Sequence, residues 1–250
     1  MEKESGGSLK NMAGVVNPAY ACCGNIPTSD HLKREEENLF SISNKIEKGE
    51  TLDRIIVFLI TGWSGFFLMS VEILSGRILA PYFGGSIHVW GAIITIFMLA
   101  LAIGYLIGGR LSVNQPSIQK LSFILLAAAV LTTPIVLLDP YALDAIFSVV
   151  QDPRYGSLAS ATTLFFLPTV ITGIISPYAV RLLVNECRFS GRYAGLLYFV
   201  STLGSATGAL MTAFYLVLYL ETNQIVWILI SISMMLGLFS LLFTRSCVQN

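Results

Sequence analysis

From Ile55 onward the chain is a succession of long apolar runs separated by short polar breaks. Six runs stand out: residues 55–79, closed by Pro81; 89–111; 121–138; 158–183, interrupted by Pro168 and Pro177; 194–220; and 224–243. The hydrocarbon core of a bilayer is ~30 Å thick, and a helix needs about 20 residues to cross it. The pattern therefore predicts an all-α fold, a polytopic membrane bundle of about six transmembrane helices. The apolar stretch 141–150 is short for a crossing and is expected to be an interfacial or re-entrant piece.

Residues 1–53 have no such run and are rich in Gly, Ser, Asn, Glu and Lys. They are expected to form a flexible acidic tail with one helix-prone stretch at 31–48. Its two readings are a dispensable solvated extension and a docking segment for a soluble partner. The expected organisation is thus a tail at 1–53, a six-helix membrane domain at 54–245 and a short C-terminal tail at 246–250.

Composition agrees with lipid as the solvent. The 250 residues are 54% hydrophobic and 12% charged, with mean hydropathy +0.72. Soluble domains carry about 25% charged residues. The zero net charge hides an uneven distribution, with six basic and nine acidic residues in 1–53 against nine and six in the remainder. Neither part has the concentrated basic face of a nucleic-acid binder.

Loop charges give an orientation independent of hydropathy. With the tail inside, the inner loops hold Arg110, Lys120, Arg181, Arg188, Arg192 and Arg245. The outer loops hold only Arg77 and Arg154, beside Asp139, Asp144, Asp152 and Glu221. Basic residues gather on the cytoplasmic side of membrane proteins. The expectation is a multi-pass protein of the cell (inner) membrane with both termini cytoplasmic.

Small residues recur every fourth position at Ala100, Gly104 and Gly108, and again at Gly204 and Gly208, flanked by Ser201, Ser205 and Thr212. Such spacing lets neighbouring backbones approach closely. Ala80-Pro81-Tyr82 and Ser176-Pro177-Tyr178 hint at an inverted repeat three crossings apart, as many transporter folds have.

Among polar residues, Glu72 stands out, because it lies deep in the first apolar run. A carboxylate at such depth is costly unless paired, protonated or facing water. It could be an interhelical clamp, a substrate or proton site, or an interfacial residue. Arg77 lies roughly 140° around the helix from it and makes a poor partner on a straight helix. Arg110, Arg181 and Arg192 sit at the inner boundary, as headgroup anchors or as a basic ring for an anionic ligand or an acidic partner surface. With Glu72 and Arg77 they form the candidate intramembrane polar site. Tyr82, His88, Trp90, Tyr178, Tyr198 and Ser201 are candidates to line it.

Chemistry is otherwise sparse. Cys22, Cys23, Cys187 and Cys247 are too scattered for a disulfide framework, and no metal site or cofactor is expected. Nucleophile-elbow, zinc-protease and phosphate-loop motifs do not occur.

Several groups of residues, Leu167-Pro168-Thr169 among them, resemble one family. The segment Glu72-Ile-Leu-Ser-Gly-Arg-Ile-Leu-Ala-Pro-Tyr-Phe-Gly-Gly-Ser86 with Val89-Trp90-Gly91 is similar to the opening of the membrane domain of spermidine synthase-like membrane proteins. So are Gly104-Tyr-Leu-Ile-Gly-Gly-Arg110-Leu and Ser176-Pro-Tyr-Ala-Val-Arg181-Leu, followed by Gly191-Arg-Tyr-Ala-Gly195 and Leu197-Tyr198-x-x-Ser201. These lie in family order across residues 55–220. The resemblance implies a bundle related to half of a major facilitator fold, working beside an aminopropyltransferase-like domain. The Gly-rich donor loop and the catalytic Asp of that domain do not occur in these 250 residues. Aminopropyl transfer by this chain alone is therefore not expected. The expected role is an integral membrane subunit or anchor, in contact with membrane lipid and a separate soluble synthase-like protein. The alternative is a small homo-oligomeric transporter of an anionic or zwitterionic solute, with Glu72 in its path.

Overall fold

The structure, a computed structural model, describes residues 29–113, 116–183 and 190–248. Among them there is no strand, and the helices follow in chain order as α1 (Ser29–Phe83), α2 (Ile87–Leu111), α3 (Ile118–Val149), α4 (Pro153–Leu183), α5 (Ser190–Met211) and α6 (Thr222–Val248). After Met211, α5 continues through a π turn at Thr212–Leu216 into Val217–Tyr219. The chain divides into two compact units, Met1–Lys48 and Gly49–Asn250. In the first, the described residues are helical, in line with the helix-prone stretch at 31–48. The rest of that tail, 1–28, lies outside the described residues.

The second unit holds six helical segments long and apolar enough to cross a membrane: Leu52–Phe83, Ile87–Leu111, Ile118–Asp139, Pro153–Leu183, Gly191–Tyr219 and Thr222–Phe243. The chain is a multi-pass membrane bundle, as its hydropathy predicts. Few residues separate consecutive helices, so neighbours in sequence run antiparallel. The first, third and fifth crossings are therefore parallel to one another.

Two boundary expectations are corrected. Pro81 does not close the first helix, which runs on to Phe83. It ends at Gly84, whose φ of 76° is left-handed and whose N–H donates to the Ala80 carbonyl at 2.9 Å. That is the glycine cap that terminates many helices, and it stops the helix where one proline in the last turn does not. Likewise, 141–150 lies beyond the third apolar span, which ends at Asp139, but it is not a separate or re-entrant piece. It continues α3 without interruption to Val149, and Leu143 is buried in the core. α4 also keeps Pro168 and Pro177 within one helix.

Lipid gives no hydrophobic drive for helix pairing, so close packing and interhelical hydrogen bonds hold such a bundle together. Both stretches of small residues do this work. A Cβ on Gly104 would collide with the Val170 carbonyl and reach the Gly173 Cα at 3.0 Å, and one on Gly108 would meet the Ile174 carbonyl at 2.6 Å. These contacts seat α2 against α4. On α5, a Cβ at Gly204 would collide with Gly62, and one at Gly208 would lie 2.5 Å from the Phe66 carbonyl. One turn further, Thr212 Oγ1 donates to Ser70 Oγ at 2.9 Å. The pairs Gly62–Gly204, Phe66–Gly208 and Ser70–Thr212 advance by four residues on each helix, so α1 and α5 lie parallel and in register.

α6 is tied in by hydroxyls. Trp63 Nε1 donates to Ser233 Oγ at 2.8 Å, and Ser122 Oγ donates to Ser240 Oγ at 2.7 Å. Aromatic and branched side chains fill the space between, including Leu74, Phe97, Ile135 and Phe165.

Candidate functional site

Glu72 lies on the part of α1 that faces the bundle and is 8% exposed. Its carboxylate makes no hydrogen bond or ion pair to a described residue. An interhelical clamp therefore has no second arm here. Arg77 is exposed and lines a cleft with Leu218, Glu221 and Gln224 at the turn between α5 and α6. No ion pair joins it to Glu72.

Two departures from regular helix lie level with Glu72. The Phe83 ring packs where a Gly156 side chain would stand. Eleven residues inward from that contact, roughly 16 Å along each helix, come Glu72 on α1 and Leu167 on the antiparallel α4. The next residue on α4 is Pro168, which is buried. It lacks the N–H that would bond the Leu164 carbonyl. On α5, the π turn begins at Thr212, opposite Ser70 and half a turn before Glu72. Single π turns recur at functional sites.

The expected polar site does not assemble as one cluster, and this is a correction. The Trp90 ring covers Gly76, one turn beyond Glu72. Arg110 is twenty residues further along α2, roughly 30 Å away along the axis. Arg110, Arg181 and Arg192 are all exposed and share the opposite end of the bundle from Arg77. The reason is the alternating direction of the helices, which sends the C-terminal ends of α2 and α4 and the N-terminal end of α5 to one side.

The candidate lining residues are also divided. Tyr82 contacts the rings of Phe83 and Phe147 at the end where α1 meets α2, His88 is exposed there, and Trp90 lies over Gly76. Tyr178 is buried near the other end. Tyr198 faces outward on α5, while the Ser201 carbonyl packs against Gly65. These six side chains line no common cavity among the described residues.

The basic end contains residues that hydropathy alone does not single out. Arg54 donates to the Tyr193 hydroxyl at 3.2 Å and lies over its ring, 5.6 Å from the centroid. The Tyr178 hydroxyl accepts from the Ser117 N–H at 2.9 Å and donates to the Ser117 carbonyl at 3.3 Å. Ser117 in turn caps α3, its Oγ accepting from the Lys120 N–H at 3.3 Å. Tyr178 thus fixes where α3 begins relative to α4. Tyr178→Phe should lower stability by about 1–2 kcal/mol, the usual cost when a buried partner is lost. Thermal unfolding in nanodiscs, with Tyr193→Phe alongside for comparison, measures it.

The least buried crossing is α5. Of its most apolar eighteen residues only 11% are buried, against 39–61% in the other five crossings, and its mean hydropathy of 1.3 is the lowest. Tyr198, Phe199, Leu203, Phe214 and Tyr215 all point away from the bundle.

No group of His, Cys, Asp and Glu suited to a metal ion occurs among the described residues. No family model, characterised protein or solved structure matches this chain.

Proposed function

We propose that the chain is an integral membrane subunit of a larger assembly, with its basic end in the cytoplasm and α5 covered by another protein within the bilayer. The carrying observation is that the least apolar crossing is also the least buried. A helix left facing lipid gains from being the most apolar one, because each polar group in hydrocarbon is costly. α5 reverses that relation, and protein contact in place of lipid would resolve it. The gathering of Arg54, Arg110, Lys120, Arg181 and Arg192 at one end supports a cytoplasmic orientation. The same basic end suits an acidic surface on a soluble partner, and the motif resemblance makes a synthase-like protein the first candidate. The chain itself is proposed to be non-enzymatic.

Purification from the native membrane in a mild detergent tests this. The expected result is co-purification of a second protein, or a homo-oligomer, that is lost when Leu203 and Leu210 on the outward face of α5 are changed to tryptophan. Recovery of the monomer alone under those conditions would sink the proposal.

A second reading rests on a separate observation, the coincidence of Glu72, Pro168 and the π turn at one depth. It makes the chain a transporter for an anionic or zwitterionic solute, with Glu72 as the gating or coupling carboxylate. Loss of flux in Glu72→Gln proteoliposomes is the expected result for that reading. Unchanged flux for every solute the wild type moves would remove it.

A further inference from the structure

A cleft of about 560 Å³ opens at the basic end between α2, α3 and α4. Its lining divides by depth. Arg110, Leu111 and Lys120 stand at the helix ends, while Ile107, Phe123 and Ile124 continue it toward the middle of the bundle, with the Tyr178 ring beside them. None of these lining residues is acidic. The volume falls within the ~300–1,000 Å³ of pockets that bury small molecules.

We infer that this cleft is a binding site for one anionic phospholipid, its phosphate held between Arg110 and Lys120 and part of one acyl chain lying against Ile107, Phe123 and Ile124. The positions of these residues match the layers of a bilayer. Arg110 is the penultimate residue of α2 and Lys120 the third of α3, so both cations stand at headgroup depth. Ile107 and Ile124 lie about one turn further into their helices, where acyl carbons begin. Basic pockets between transmembrane helices on the cytoplasmic side are suited to lipid phosphates. A soluble anion would use the cations and leave the apolar wall empty, whereas a zwitterionic lipid would fill the wall and bring its own cation against Arg110.

The site is also built rather than incidental. The start of α3, which carries Lys120, is held against α4 by the paired hydrogen bonds between Tyr178 and Ser117. Gly108 presses α2 onto α4 at Ile174 and Pro177 just beneath it. Both walls are therefore set by contacts that do not involve a ligand.

The test uses the full chain in mixed micelles with phosphatidylglycerol and phosphatidylcholine of identical acyl chains, and native mass spectrometry to count retained lipid. Wild type should retain one phosphatidylglycerol in preference to phosphatidylcholine. A basic residue near the surface is worth ~1 kcal/mol toward anionic lipid, so Arg110→Gln should cut the preference about fivefold. Ile107→Trp keeps both cations but fills the cleft, and should abolish retention. Unchanged retention in Ile107→Trp would mean general surface attraction and would overturn the inference. So would displacement of the lipid by 100 mM inorganic phosphate, which would identify the ligand as a soluble anion. Equal retention of the two lipids would overturn it as well. If a variant does not fold, photo-crosslinking of wild type with an acyl-diazirine phosphatidylglycerol decides. Label on 107–111 and 120–124 supports the site, and label spread evenly over all crossings refutes it. The α5 tryptophan variants should retain the lipid normally, so this site and the proposed assembly can fail separately.

Discussion

Gly104→Leu is expected to abolish the folded bundle, whereas Gly109→Leu, five residues away on the same helix, should be tolerated. At Gly104 even a methyl group would collide with the Val170 carbonyl and crowd Gly173. Those obstacles are backbone atoms of α4, so no rotamer change can relieve the clash. Overpacking in a close-packed core costs about 1–3 kcal/mol when side chains can move. Here whole helices must separate, and the loss should exceed the upper end of that range. The gap would open beside Gly108 and Pro177 and so release the packing along the rest of α2. A Cβ at Gly109 has no atom within 4 Å. Fluorescence-detected size exclusion of the two variants after brief heating measures the difference. The expected profile is monodisperse for Gly109→Leu and aggregated for Gly104→Leu.

The second large effect is functional. Glu72→Gln should leave stability within about 0.5 kcal/mol of wild type, as for a substitution that removes no contact, and should abolish whatever activity depends on the buried carboxyl. Shape is preserved, and no hydrogen bond or ion pair to a described residue is lost. If Glu72 instead held a buried ion pair, breaking it would cost about 3–5 kcal/mol. Thermal unfolding of the variant in nanodiscs separates the two cases. A drop of several kcal/mol would assign the residue to packing, while unchanged unfolding with lost flux or lost complementation would assign it to function.

The crossings were readable from sequence because hydropathy is a local property, carried by runs such as 89–111 that need no partner to be recognised. Helix ends were less readable. Pro81 looks like a stop and the third apolar run ends at Leu138, yet where each helix ends depends on its neighbours in the fold. The left-handed Gly84 ends α1 at Phe83, two residues beyond Pro81, and burial of Leu143 carries α3 past Pro140. The π turn at Thr212–Leu216 has no evident sequence signal, and it begins at the residue that bonds Ser70 on α1. The small residues at 104, 108, 204 and 208 announced close approach but not which helices meet. Pairing α1 with α5 and α2 with α4 is a long-range choice.

The candidate site shows the same division. Glu72 was visible as a charge out of place in an apolar run. Its separation from Arg110, Arg181 and Arg192 is one of depth, since those three sit at the inner boundary and Glu72 lies deep in the first crossing. The cleft at Arg110 and Lys120 depends on Tyr178, a residue sixty-one positions from its hydrogen-bond partner Ser117. Only the folded chain brings that pair together.

The central claim, that α5 is covered by protein rather than lipid, is tested most directly by photo-crosslinking in the native membrane. A photoreactive amino acid is placed at Phe199 on the outward face of α5 and, as a comparison, at the exposed Leu106 on α2. The account predicts a discrete higher-mass protein adduct from position 199 and lipid adducts alone from position 106. Lipid adducts alone from both positions would contradict it.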